Sequence, residues 1–187
     1  GAKTSDYWQE LNACQGSLAI LVELEVDCKL PKLHRIVDHH GQYSNRKSSL
    51  VQILGIRNDY PTKEQIIISL YDEGGVKKLL NEQIPVPKIK EVLKGACSIA
   101  GLTENEMKVS EIALKQAKYR GETLVVKMPH SKTIYVSGLT VLKQPNTRED
   151  ALYLSDCGEI NYYGPAEKCR KLSAKFKEFN CWEKIPD

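Results

Sequence analysis

A carboxylate oxygen and two imidazole nitrogens follow one another at Asp38, His39 and His40. A mixed oxygen and nitrogen donor set suits manganese, zinc or iron better than calcium, which takes oxygen donors throughout. Three consecutive side chains rarely hold one ion unaided, so a further ligand is expected from a distant segment. Asp72 is the candidate: it ends an apolar helical stretch just before Gly74-Gly75, where missing side chains permit close approach. In this reading Asp38, His39, His40 and Asp72 are both the metal ligands and the catalytic groups. Asp38 and His39 reach one ion, while His40 serves a neighbouring ion, the substrate or the groups that orient the ligands. A metal there would polarise a phosphate and activate a water, with His40 as general acid or electrostatic stabiliser. Arg46 and Lys47 follow within a few residues and can neutralise phosphate charge, arginine being the better bidentate partner. His130, in the turn Met128-Pro129-His130-Ser131-Lys132, is a further substrate-contact candidate.

The elements that must carry these groups can be read from periodicity. Residues 18–26 begin as a continuous apolar run and then alternate, as a strand does, and His34-Arg35-Ile36-Val37 is a second short strand ending directly on the triplet. That puts Asp38 at the carboxyl end of a strand, the edge at which open α/β sheets bind ligands. Ser48 or Ser49 can cap a helix through Leu54 with Gly55 as its stop. Thr62 and Gln65 have capping-box spacing for a helix to about Asp72, broken by Gly74-Gly75. A helix from about Lys88 carries Ile89, Val92 and Leu93. A second capping box at Thr103 and Glu106 opens a helix to about Tyr119, with Val109, Ile112, Ala113 and Ala117 inward. Four strands are expected after that, at 122–128, 132–136, 151–154 and 159–163. A last helix from Pro165 buries Ala166, Cys169, Leu172 and Phe176.

The segments Ile36-Val37-Asp38-His39-His40-Gly41, Asn45-Arg46-Lys47-Ser48-Ser49-Leu50 and Tyr71-Asp72-Glu73-Gly74-Gly75 together resemble the DHH phosphoesterase superfamily. The resemblance implies an α/β protein with an N-terminal DHH-like sheet flanked by helices, over residues 1–98. A small α+β C-terminal domain that contacts substrate would follow over 99–187. It also implies a manganese-dependent hydrolase, with magnesium or another divalent metal as the alternative. The expected reaction is cleavage of a phosphodiester or pyrophosphate bond in a nucleotide, short oligonucleotide or other phosphate-containing small molecule. Two departures qualify this. Family members carry a strand-end motif of two aspartates and a further lone aspartate upstream of the triplet. Here Glu23, Glu25 or Asp27 could replace one of these missing ligands, Asp27 lying nearest the strand's end, while Glu23 and Glu25 read as alternation on a half-solvated strand. The family's C-terminal glycine cluster is replaced by Phe179-Asn180-Cys181-Trp182-Glu183-Lys184, where Trp182 either closes the core or stacks on a base. The alternative function is a catalytically degenerate DHH-like module that binds nucleotide or metal in a regulatory role.

Composition sets the outer bounds. The 27 Lys and Arg against 24 Asp and Glu leave a net charge of +3, too little to announce nucleic-acid wrapping. No run is apolar enough to span a bilayer, and no secretory leader is evident, so a cytoplasmic protein without a membrane partner is expected. The six cysteines form no Cys-x-x-Cys pair and read as free thiols, Cys169 lying on an apolar helical stripe.

Overall fold

A computed structural model of the chain describes residues 2–13, 16–143 and 150–175, and the backbone alone at 180–183. The architecture is mixed α/β, in two compact units, Gly1–Lys78 and Leu79–Asp187.

In the first unit a 3-10 turn at Thr4–Tyr7 leads into α1 (Trp8–Ala13), then β1 (Ala19–Val22) and β2 (His34–Val37). The two strands pair in parallel, with Val22 opposite Val37, so both carboxyl ends open on one edge. Glu23 and Asp38, the next residues, therefore emerge side by side. Leu11, Ala19 and Leu21 form the apolar centre, with Leu24, Leu30 and Ile36 packed against it. The strand beginning at residue 18 is shorter than the alternation suggests because Glu23 turns into the left-handed region at φ 53.

The helix α2 (Ser49–Ile56) packs beside β2 and has Ser48 as its N-cap. Gly55 does not stop it. The stop is Asn58, whose φ of 56 closes a Schellman turn in which Asn58 N–H donates to the Gly55 carbonyl and Asp59 N–H to the Leu54 carbonyl. The expected capping box of α3 (Lys63–Asn81) forms, with Thr62 N–H donating to Gln65 Oε1 at 2.8 Å and Gln65 N–H to Thr62 Oγ1 at 3.2 Å. The helix breaks at Gly74 and Gly75, and each glycine has its own reason. Gly75, at φ 62 and ψ −154, occupies a conformation essentially reserved for glycine. A Cβ on Gly74 would lie 2.8 Å from Lys78 Cβ.

The second unit contains α4 (Val86–Ile99), α5 (Glu104–Gln116), β3 (Lys118–Arg120), β4 (Thr123–Met128), α6 (Ile134–Lys143), β5 (Ala151–Ser155), β6 (Ile160–Gly164), α7 (Ala166–Ser173) and β7 (Asn180–Glu183). The strands form one sheet in the order β3-β4-β5-β6-β7, with β4–β5 and β6–β7 parallel and the other two pairs antiparallel. A parallel neighbour requires a crossover, and α6 and α7 lie in those two connections. This overturns the strand expected at 132–136: Ile134, Tyr135 and Val136 are the first turn of α6, with Tyr135 and Val136 fully buried. The division between units precedes the expected place between 98 and 99, since α4 packs on α6 through a face that buries Ile89, Leu93 and Cys97. On α5 the buried face is Met107, Ser110, Ala113 and Leu114, while Ile112 is exposed and Ala117 already extended. Cys169 is buried on α7 as expected but is disulfide-bonded, not a free thiol. Phe176 and the Trp182 side chain lie outside the described residues.

Candidate metal centre

Alternation persists past the end of β2. Val37 and His39 point into the unit and are buried, whereas Asp38 is partly buried and His40 exposed. The His39 side chain is only 5% exposed, and its Nε2 lies 3.1 Å from Asp72 Oδ2 and 3.5 Å from Glu23 Oε1. Neither contact is a hydrogen bond, and Nε2 is a buried polar atom without a hydrogen-bond partner. Such an atom costs about 1–3 kcal/mol unless something else satisfies it. The sequence-expected convergence of the triplet with Asp72 is thus present at His39.

Asp38 is not drawn to the same point. Its Oδ1 accepts the His40 backbone N–H at 2.9 Å and lies 3.0 Å from His40 Nδ1. Burial opposes its ionisation, but the His40 and His39 backbone N–H groups, together with the His40 ring, outweigh that penalty and hold the carboxyl below its ordinary range. The pair is the arrangement in which a carboxylate fixes a histidine's tautomer and leaves the other ring nitrogen to act. The His39 and His40 rings stand 4.2 Å apart between centroids.

Among the described residues, Glu23, His39 and His40 offer three ligand atoms within 4.8 Å of one another. Glu23 is the group that periodicity passes over, because its position depends on a left-handed φ invisible in an alternating pattern. Asp27, the expected strand-end ligand, is occupied elsewhere. It accepts from Thr4 Oγ1 at 3.0 Å, Ser5 N–H at 2.9 Å and Ser5 Oγ at 2.6 Å, and the Ser5 hydroxyl and N–H hold its carboxyl low against slight desolvation. Asp27 thereby ties the chain's opening turn to the segment after β1.

Two further residues position the site. Gln52 of α2 donates to the Asp38 carbonyl at 3.0 Å and the Lys47 carbonyl at 2.7 Å, pinning the triplet's backbone. Glu73, next to Asp72, accepts the Ser48 N–H at 3.0 Å, while the Ser48 and Ser69 hydroxyls bond to each other at 2.5 Å. The start of α2 is thus fastened to the segment that carries Asp72. Both are visible in the sequence only as ordinary helix polar residues.

A cleft of about 430 Å³ lies beside the cluster, bordered by Glu23, Asp38, His40 and Tyr43. Arg46 stacks its guanidinium 4.1 Å from the centroid of Tyr43 and donates to the Ile36 carbonyl at 3.2 Å, which fixes it near the strand end. Lys47 is exposed. His130 belongs to the second unit, where its Nε2 lies 3.1 Å from both Ser110 Oγ and the Glu106 carbonyl, a bracing contact with α5. No helix among the described residues is long and apolar enough to cross a membrane. No family model, curated protein or solved structure matches the chain.

Proposed function

We propose that the chain is a divalent-metal-dependent phosphoesterase of the DHH type, cleaving a phosphodiester or pyrophosphate bond in a nucleotide or short oligonucleotide. The observation that carries the reading is His39: a buried imidazole nitrogen without a hydrogen-bond partner, 3.1 Å from the Asp72 carboxylate and 3.5 Å from that of Glu23. The donor set fits a divalent ion such as manganese, and a buried orphan nitrogen is what such an ion would satisfy. When bound, the ion would supply charge neutralisation at phosphate oxygens and a more acidic water. His39 and Glu23 would help to hold it, Asp72 would stand against His39, and Asp38 would orient His40 towards the same point. Arg46, stiffened by Tyr43, would neutralise phosphate charge at the cleft, whose volume falls in the range of small-ligand sites. A DHH-like arrangement of the first unit belongs to this proposal.

The test is turnover. Purified chain with manganese, and in parallel with magnesium or zinc, is offered dinucleotides, cyclic nucleotides and pyrophosphate. Hydrolysis of at least one, lost in His39→Gln, is expected; no turnover across the panel refutes the proposal. One observation favours a second reading, a degenerate module that binds metal or nucleotide without turnover. Asp27 and Asp38 are both committed to other partners, so fewer carboxylates remain to build a two-metal centre.

A further inference from the structure

We infer that the site takes a single metal ion of the zinc class, held by Glu23, His39 and His40, with Glu23 as a ligand in its own right. The inference rests on the metal-dependent reading above and narrows it to one ion with a specified donor set. Three independent features support the assignment. The ligand atoms of Glu23, His39 and His40 lie within 4.8 Å of one another, and the 3.5 Å from His39 Nε2 to Glu23 Oε1 is close to the about 3.4 Å between donors on a tetrahedral ion with bonds of about 2.0–2.2 Å. The His39 side chain is 5% exposed and its Nε2, although close to the Asp72 and Glu23 carboxylates, is buried without a hydrogen bond. The backbone of Glu23 is held at φ 53, a conformation that costs a non-glycine residue and recurs where function demands a particular placement.

The remaining groups fit one ion rather than two. Asp38 Oδ1 lies 3.0 Å from His40 Nδ1, so that carboxylate orients the His40 ring, as carboxylates do in carboxylate–histidine–zinc triads, and does not itself join the cluster. Two imidazoles and one glutamate, open to a cleft, are the donors of zinc sites that keep a coordination position free. Asp72 meets His39 but lies outside the three-way cluster, and Asp27 is bound by Thr4 and Ser5. Among the described residues no second group of three ligands approaches this closely.

The experiment is a metal titration of the full chain after chelator treatment, with Zn²⁺ followed by calorimetry and Co²⁺ by its visible absorption. One equivalent of Zn²⁺ is expected, with tetrahedral-type Co²⁺ bands. Glu23→Gln and His40→Gln should each weaken binding at least about tenfold. Glu25→Gln, a neighbouring carboxylate outside the cluster, should bind as the wild type does. Far-UV circular dichroism of each variant separates loss of ligand from loss of fold, and His40, being exposed, tolerates replacement. Uptake of two equivalents, or wild-type affinity in folded Glu23→Gln and His40→Gln, overturns the inference. Two manganese ions with hydrolysis would overturn it and leave the phosphoesterase standing. One zinc ion with no hydrolysis would do the reverse.

Discussion

His39 Nε2 approaches Asp72 Oδ2 to 3.1 Å, yet the two form no hydrogen bond. The contact therefore stabilises the metal-free chain little, and Asp72 is about half exposed. Asp72→Asn is expected to leave the apo midpoint of thermal unfolding almost unchanged, within about 0.5 kcal/mol. Divalent metal should raise that midpoint in the wild type, by mass action on the native state, and raise it distinctly less in the variant. Asp72 acts there through the charge it sets beside His39, and an equal metal-induced shift in both proteins would show that this charge does nothing for the ion.

At Glu23 stability and ligation oppose each other. A non-glycine residue in the left-handed region costs roughly 1–2 kcal/mol, and glycine avoids that cost. Glu23→Gly should consequently make the metal-free chain more stable by about 1 kcal/mol while weakening its metal affinity. Urea unfolding with chelator present and a metal titration read the two effects separately. A destabilised apo variant would mean that the Glu23 carboxylate is held by something other than the ligand cluster.

The parts of the site carried by local pattern were legible in the sequence. His34–Val37 is a strand because a β-branched run precedes the turn at Gly41, and that alone sets the triplet at a carboxyl end. The Gly74-Gly75 break and both capping boxes are equally local. What sequence pattern could not settle depended on partners far along the chain. Ile134-Tyr135-Val136 suits either element by propensity, and the parallel pairing of β4 with β5 decides for a helix. The choice of Glu23 over Asp27 turns on one backbone angle and on two hydroxyl-bearing residues, Thr4 and Ser5, that occupy Asp27 first. Ile112 is solvent-facing for a similar reason: Met107, Ser110, Ala113 and Leu114 supply the buried face of α5.

Thiol reactivity separates two of the free cysteines. Cys97 is wholly buried on α4, and burial pushes its thiol up to about 11, so almost no thiolate exists near neutrality. Cys157 is exposed in the β5–β6 turn. Labelling native protein at pH 8 with a thiol reagent, followed by peptide mass spectrometry, should modify Cys157 and spare Cys97 until denaturant is added. Labelling of Cys97 at a comparable rate would mean that α4 opens readily from α6.

Glu106 closes the capping box of α5, accepting the Thr103 N–H at 2.7 Å and pairing with Lys132 at 3.1 Å. The Thr103 backbone N–H, then Lys132 and the Thr103 hydroxyl, hold its carboxyl at about 2, below the ordinary 4.5. A carboxyl depressed in the folded state binds its proton more readily once unfolded. Its stabilising contribution is thus complete above about pH 4.5 and disappears as pH falls towards 2. Glu106→Gln keeps an oxygen to accept the Thr103 N–H but has nothing to titrate. The wild type should be the more stable protein at pH 6, and the gap between the two unfolding midpoints should narrow steadily from pH 5 to pH 2. Midpoints measured in urea at several pH values check this, and a gap that stays constant across that window would show that the charge on Glu106 contributes nothing to the cap.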